Sequence, residues 1–93
     1  MPPLDADAIS VALAGLPGWR HEDGALTREF TFDGFMAAVL FVNRLAGAAE
    51  QADHHPDLDI RWNRVLVRWS THSQGGVTRR DLDMAARTDT LVT

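Results

Sequence analysis

Four histidines, at positions 21, 54, 55 and 72, are the side chains of this sequence best suited to moving protons. Imidazole has an unperturbed pKa of about 6.5 and can both give and take a proton near neutrality. Two of the four adjoin each other, His54 and His55, directly before Pro56, and Glu50, Asp53, Asp57 and Asp59 surround them in sequence. Glu50 stands four residues before His54, so on a continuous helix the two would share a face, where the carboxylate could orient the ring and favour its charged form. The chain has no Lys, Cys or Tyr, which excludes Schiff-base chemistry, thiolate nucleophiles and tyrosine acid catalysis. What remains is acid-base chemistry by imidazole and carboxylate. Three histidines near several carboxylates could also ligate zinc or iron. Adjacent residues rarely aim both rings at one ion, however, and the helical His-x-x-x-His spacing is absent, so no metal is expected.

Each of these residues also has a plain structural reading. His54 and His55 could simply meet the last carbonyls of a helix, and His72 could be a surface residue at a strand end. His21 is expected to be structural, packed across a hairpin from Leu26. Asp81, three residues after Thr78, completes a capping box whatever else it does. Glu50 could be an ordinary helix-surface glutamate.

The elements that must position these groups follow from periodicity and turn chemistry. Residues 5–14 carry Ile9 and Leu13, with Leu16 beyond, at helical spacing and acidic residues in the first turn, and Gly15 and Pro17 end that helix. Asp23-Gly24 predicts a two-residue hairpin that pairs Glu22 with Ala25, His21 with Leu26 and Trp19 with Arg28. Trp19 fits either a core position or a cleft wall. A long helix is expected from Asp33 or Gly34 to about Asp53, with a stripe of Phe35, Val39, Val42, Ala46 and Ala49 that Met36, Leu40, Phe41 and Leu45 widen. A helix this apolar is expected to touch both a sheet and a second subunit. Pro56 turns the chain. A second hairpin should then turn at Asn63-Arg64 and pair Trp62 with Val65, Ile60 with Val67 and Leu58 with Trp69, all on one face, with Trp62 and Trp69 in the core. Gly75-Gly76 form a loop before the Thr78 to Asp81 capping box, which opens a last helix carrying Leu82, Ala85 and Ala86. The order is α-β-β-α-β-β-α, an α+β fold. One four-stranded antiparallel sheet with the helices packed on one face is the simplest arrangement that buries each apolar stripe.

Length and composition fit a single domain over residues 1–93, with 45% apolar and 24% charged residues. A chain this short leaves much of its surface exposed, which makes self-association a natural expectation. The formal charge is -4, and the nine basic residues are scattered arginines, with Arg79-Arg80 the one adjacent pair. Direct nucleic-acid binding needs a concentrated basic face and is not expected. The opening MPPLDADAIS resembles neither a secretory nor a transit sequence, and no apolar run is long enough to span a bilayer, so a cytoplasmic location away from membranes is expected.

The segment EQADHHPDLDIRW (50–62), followed by Thr71-His72 and by Asp81, resembles the signature of pterin-4a-carbinolamine dehydratases. That signature is an acidic residue, three positions, two histidines, a proline, an aromatic, then a histidine and an aspartate. Trp19-Arg20, the Phe30 to Phe35 entry to the long helix and Gly76-Val77-Thr78 are also similar to the family, so the resemblance runs from about residue 9 to about residue 90. It implies an enzyme that dehydrates a 4a-hydroxytetrahydropterin to the quinonoid dihydropterin, in tetrahydrobiopterin recycling, with no metal or organic cofactor. By the same resemblance His54 and His72 would flank the C4a hydroxyl and N5 as the acid-base pair, in an order left open. His55 would hold and polarise the pterin ring. Glu50 and Asp81 would support the histidines, and Trp19 and Pro56 would belong to the surrounding site. The broad apolar helix would fit the contact of a homodimer or homotetramer. Two alternatives share the fold: a non-catalytic pterin-binding, dimerisation or regulatory module, and a pterin-binding domain serving another pathway, such as a molybdopterin route.

Overall fold

The computed structural model describes residues 2–92. Helix α1 (Ala6–Leu13) leads to strands β1 (Arg20–Glu22) and β2 (Ala25–Thr31), then to the long helix α2 (Phe35–Ala52). Strands β3 (Asp57–Arg61) and β4 (Arg64–Trp69), a short 3-10 turn (His72–Gln74) and helix α3 (Arg79–Asp89) complete the chain. The four strands form one antiparallel sheet in the order β1-β2-β4-β3, which brings the second strand of each hairpin to the centre. The architecture is the α+β arrangement expected from the sequence.

Strand alternation decides which face is buried. Leu26 and Phe30 on β2, with Val65, Val67 and Trp69 on β4, point one way and join Ile9, Phe41, Leu45, Met84 and Ala85 from the three helices in one apolar core. All helices therefore lie on that face, and the opposite face carries Glu29, Arg64 and Arg68. The first hairpin turns at Asp23-Gly24, both with positive φ, and pairs Glu22 with Ala25 and His21 with Leu26 as expected. His21 itself is exposed rather than packed.

The second hairpin departs from expectation by two residues. Ile60 pairs with Val65 and Leu58 with Val67, and the turn is Trp62-Asn63. The reason is a tertiary bond: the Asn63 side-chain amide donates to the Phe32 carbonyl at 3.0 Å, and the Phe32 N–H donates to the Asn63 carbonyl at 2.8 Å. These two bonds extend the central β2-β4 ladder past Arg64, so Arg64 joins β4 instead of the turn. Because side chains alternate with period two, a slip of two keeps Leu58 and Ile60 on the helix side. Trp62, however, moves from the core to the tip of the turn, with φ of 52° and 68% exposure. Trp69 is fully buried as expected.

Helix α2 also sits rotated from the expected stripe. Its buried residues are Ala38, Phe41, Leu45, Ala48 and Ala49, while Phe35, Met36 and Leu40 face solvent. An all-round apolar helix gives a weak signal for the buried side, and here three alanines turn inward with Phe41 and Leu45 while Phe35, Met36 and Leu40 stay outside. Among the described residues, no helix is long and apolar enough to cross a membrane.

Candidate active site

Three backbone features deliver the histidines to one end of the sheet. Helix α2 stops at Ala52 because Asp53 adopts the left-handed conformation, φ 51° and ψ 44°, which lets the Asp53 and His54 N–H groups close on the Glu50 and Ala49 carbonyls. An αL residue at this place is a common helix stop, and Asp tolerates it better than most residues with a Cβ. Two carbonyls left at the same helix end, those of Ala52 and Asp53, accept from Arg80 Nη2 at 3.2 and 2.9 Å. The chain then runs extended through His54, His55 and Pro56 into β3, so the two adjacent rings point in different directions. His72 opens the 3-10 turn that follows β4, and an isolated bridge between Thr71 and Gly76 closes that turn.

The adjacent histidines have opposite environments. His54 turns inward, 8% exposed, stacks on Trp69 with ring centroids 5.4 Å apart, and places Nε2 2.6 Å from Asp81 Oδ1. Asp81 is wholly buried at the start of α3. A carboxylate out of reach of water needs donors. It has them: the Thr71 hydroxyl donates to Oδ2 at 2.7 Å and the Thr78 N–H donates to the same oxygen at 2.9 Å. Thr78 and Asp81 form the expected capping box, so one carboxylate both starts a helix and holds an imidazole. His55 turns outward and is hydrogen-bonded through Nε2 to Glu50, both side chains being more than half exposed. His72 is exposed, with Nε2 3.9 Å from Asp57 Oδ2.

His54, His55 and His72 meet around an open cavity of about 280 Å³, whose wall also includes Ser70, Ser73 and Arg80. That volume suits a small molecule. The chemistry on offer is proton exchange at two or three points around such a molecule, with hydroxyls and one guanidinium to orient it.

The sequence-predicted residues are sorted by this geometry. The three histidines come together, and Asp81 stands behind His54. Glu50 reaches His55 rather than His54, because the helix ends before the i, i+4 relation could apply. Pro56 is half-buried at the entry to β3. Trp19 lies in the core away from the cavity: it is 6% exposed, meets Phe30 edge-on, and its indole N–H donates to Asp89 at the far end of α3. Arg80, Ser70 and Ser73 were not anticipated from sequence. Only Arg80 left a trace there, as half of the one adjacent basic pair. No three of the described His, Asp and Glu residues converge in a metal-ligating arrangement.

Comparison with known proteins agrees over almost the whole chain. A family model described as pterin 4 alpha carbinolamine dehydratase matches residues 2–91. A protein of Mycobacteroides abscessus, named provisionally as a pterin-4-alpha-carbinolamine dehydratase, is 51% identical over 96% of this chain and 95% of its own length. One of Metallosphaera sedula with the same provisional name is 45% identical over 98% of this chain and 95% of its own. The crystal structure of a transcriptional coactivator/pterin dehydratase from Brucella melitensis superposes with a TM-score of 0.93 at 38% identity, covering 98% of this chain and 99% of that one. A pterin dehydratase-like protein identified as a RuBisCO assembly factor in the alpha-carboxysome shares the fold, with a TM-score of 0.70 at 22% identity, over 81% of this chain and 89% of that one.

Proposed function

The chain belongs to the pterin 4 alpha carbinolamine dehydratase family, and from that premise we propose that it removes water from 4a-hydroxytetrahydrobiopterin to give the quinonoid dihydropterin, as a step of tetrahydrobiopterin recycling. The observation that carries this reading is the convergence of His54, His55 and His72 on one small cavity, with a buried carboxylate behind His54. Loss of water breaks the C4a–O bond. The departing oxygen takes a proton from a general acid, and N5 gives its proton to a general base as its lone pair forms the N5=C4a double bond. His54 and His72 are the proposed acid-base pair. His55, braced by Glu50, would hold and polarise the pterin ring. Each such proton transfer typically contributes about a hundred- to ten-thousandfold. Neither a metal nor an organic cofactor enters this scheme. The test is the rate of quinonoid absorbance after generating the carbinolamine with and without purified protein: acceleration supports the reading, and a rate equal to buffer rejects it.

The same proposal makes the protein a cytoplasmic homo-oligomer, a dimer or tetramer. Phe35, Met36 and Leu40 on α2, with Leu58 and Ile60 on the edge strand β3, leave an apolar surface in solvent that a second copy would cover. Light scattering on Met36→Glu combined with Leu40→Glu should report a smaller particle than wild type; an unchanged mass would place the contact elsewhere. That surface is also the specific observation behind a second reading, a dimerisation or regulatory module. Retained pterin dehydration by the double variant would separate the surface's role from the cavity's.

A further inference from the structure

Asp81 has more donors than a helix cap requires, and the direction of every proton around it can be worked out. The Asp81 N–H donates to the Thr78 backbone carbonyl at 3.0 Å with the Thr78 hydroxyl oxygen beside it in the capping box, so the Thr78 hydroxyl proton is free to be donated. Thr71 Oγ1 lies 2.8 Å from it. A hydroxyl has one proton to give. The Thr71 proton goes to Asp81 Oδ2, so in the contact between the two threonines Thr78 is the donor. Oδ2 therefore receives two hydrogen bonds, from the Thr71 hydroxyl and the Thr78 N–H. Oδ1 has His54 Nε2 as its partner. Donors on Oδ2 stabilise the carboxylate, and a carboxylate can only accept, so Nε2 must carry the hydrogen. Among the described residues Nδ1 of His54 has no hydrogen-bond partner, and His54 lines the cavity.

We propose that Thr71 is a positioning residue that sets the tautomer of His54 through Asp81, so that Nε2 holds the ring hydrogen and Nδ1 is the nitrogen offered to the bound molecule. Thr71 also lines the cavity, but it is buried and its hydroxyl is committed to Asp81 and Thr78. Its hydroxyl orders the carboxylate, the carboxylate orders the imidazole, and Thr78 completes the relay from the helix cap. That Nδ1 then exchanges a proton with a pterin rests on the function proposed above; the tautomer itself does not.

Long-range nitrogen-proton correlation spectra of the imidazole rings, taken in solution alkaline enough for neutral imidazole, distinguish the two tautomers. Wild type and Thr71→Ser should show His54 in a single Nε2–H form. Thr71→Val keeps the shape but removes the hydroxyl, and should give a mixture of the two forms. In the dehydration assay Thr71→Val should lower kcat about tenfold while KM stays within about twofold, with Thr71→Ser close to wild type. An Nδ1–H form of His54 in wild type overturns the proposal, and so does a valine variant that keeps the pure Nε2–H signature. If the valine variant does not fold, Thr71→Ala is read in the same way: a mixed His54 signature supports the proposal and a pure Nε2–H signature overturns it. A wild type without dehydration activity whose His54 loses its single tautomer on Thr71→Val supports the role of Thr71 and overturns only the proposed reaction.

Discussion

His54 and His55 are neighbours in the chain, each paired with one carboxylate, and they differ in almost everything that decides what such a pair can do. The His54-Asp81 pair is held between β4 and α3, with the carboxylate wholly buried and each of its oxygens hydrogen-bonded. The His55-Glu50 pair stands in solvent at the rim. In low dielectric a satisfied polar network has one arrangement, and removing a member strands the others; in water the same loss is made good by solvent. Burial, not residue type, makes one imidazole a fixed tool and the other an adjustable contact.

The largest loss is expected at Asp81. Asp81→Ala leaves the Thr71 hydroxyl, the Thr78 N–H and His54 Nε2 without their acceptor and should cost about 3 kcal/mol or more of folding stability, read from urea unfolding. His54→Gln keeps a polar group against Asp81, so it should lower dehydration by about a hundredfold or more while costing only about 1–2 kcal/mol. If its loss of activity merely tracks its loss of stability, the proposed proton-transfer role of His54 fails. At the rim, Glu50→Gln should change stability by less than about 0.5 kcal/mol and activity by less than about tenfold, because solvent screens the pair it breaks. A Glu50→Gln effect as large as that of Asp81→Ala would remove the distinction altogether.

The smallest effect belongs to another exposed pair. Arg20 lowers the Glu22 carboxyl below the ordinary carboxylate range through their hydrogen bond and charge attraction. A lowered folded-state value stabilises the protein above the unfolded carboxylate pKa, and that contribution fades as pH falls through the folded one. Since Glu22 is exposed, Glu22→Gln should leave the thermal midpoint unchanged within error at neutral and at mildly acidic pH.

The same contrast explains what could be read from the sequence. The element order and the first hairpin were legible because Asp23-Gly24, the Thr78 to Asp81 box and the helix periods are local signals. The second hairpin was misplaced by two residues because its turn is set by Asn63 bonding to Phe32, a contact no nearby residue announces. The histidines were legible as a cluster, but their partners were not. Glu50 looked like the companion of His54 only on the assumption of a continuous helix, and the αL turn at Asp53 gave it to His55. Asp81 lies 27 residues from His54 in sequence, and only the packing of α3 against the end of α2 brings them together. Arg80 on the α2 carbonyls and Trp19 on Asp89 are non-local in the same way.

The most direct measurement is the dehydration of 4a-hydroxytetrahydrobiopterin by folded wild type, His54→Ala and His72→Ala, followed at the quinonoid absorbance. The wild type should accelerate the reaction, and that acceleration should largely disappear in both variants. A wild type that accelerates the reaction, with either alanine variant equally fast, would contradict the assignment of the buried and exposed histidines as its proton-transfer pair.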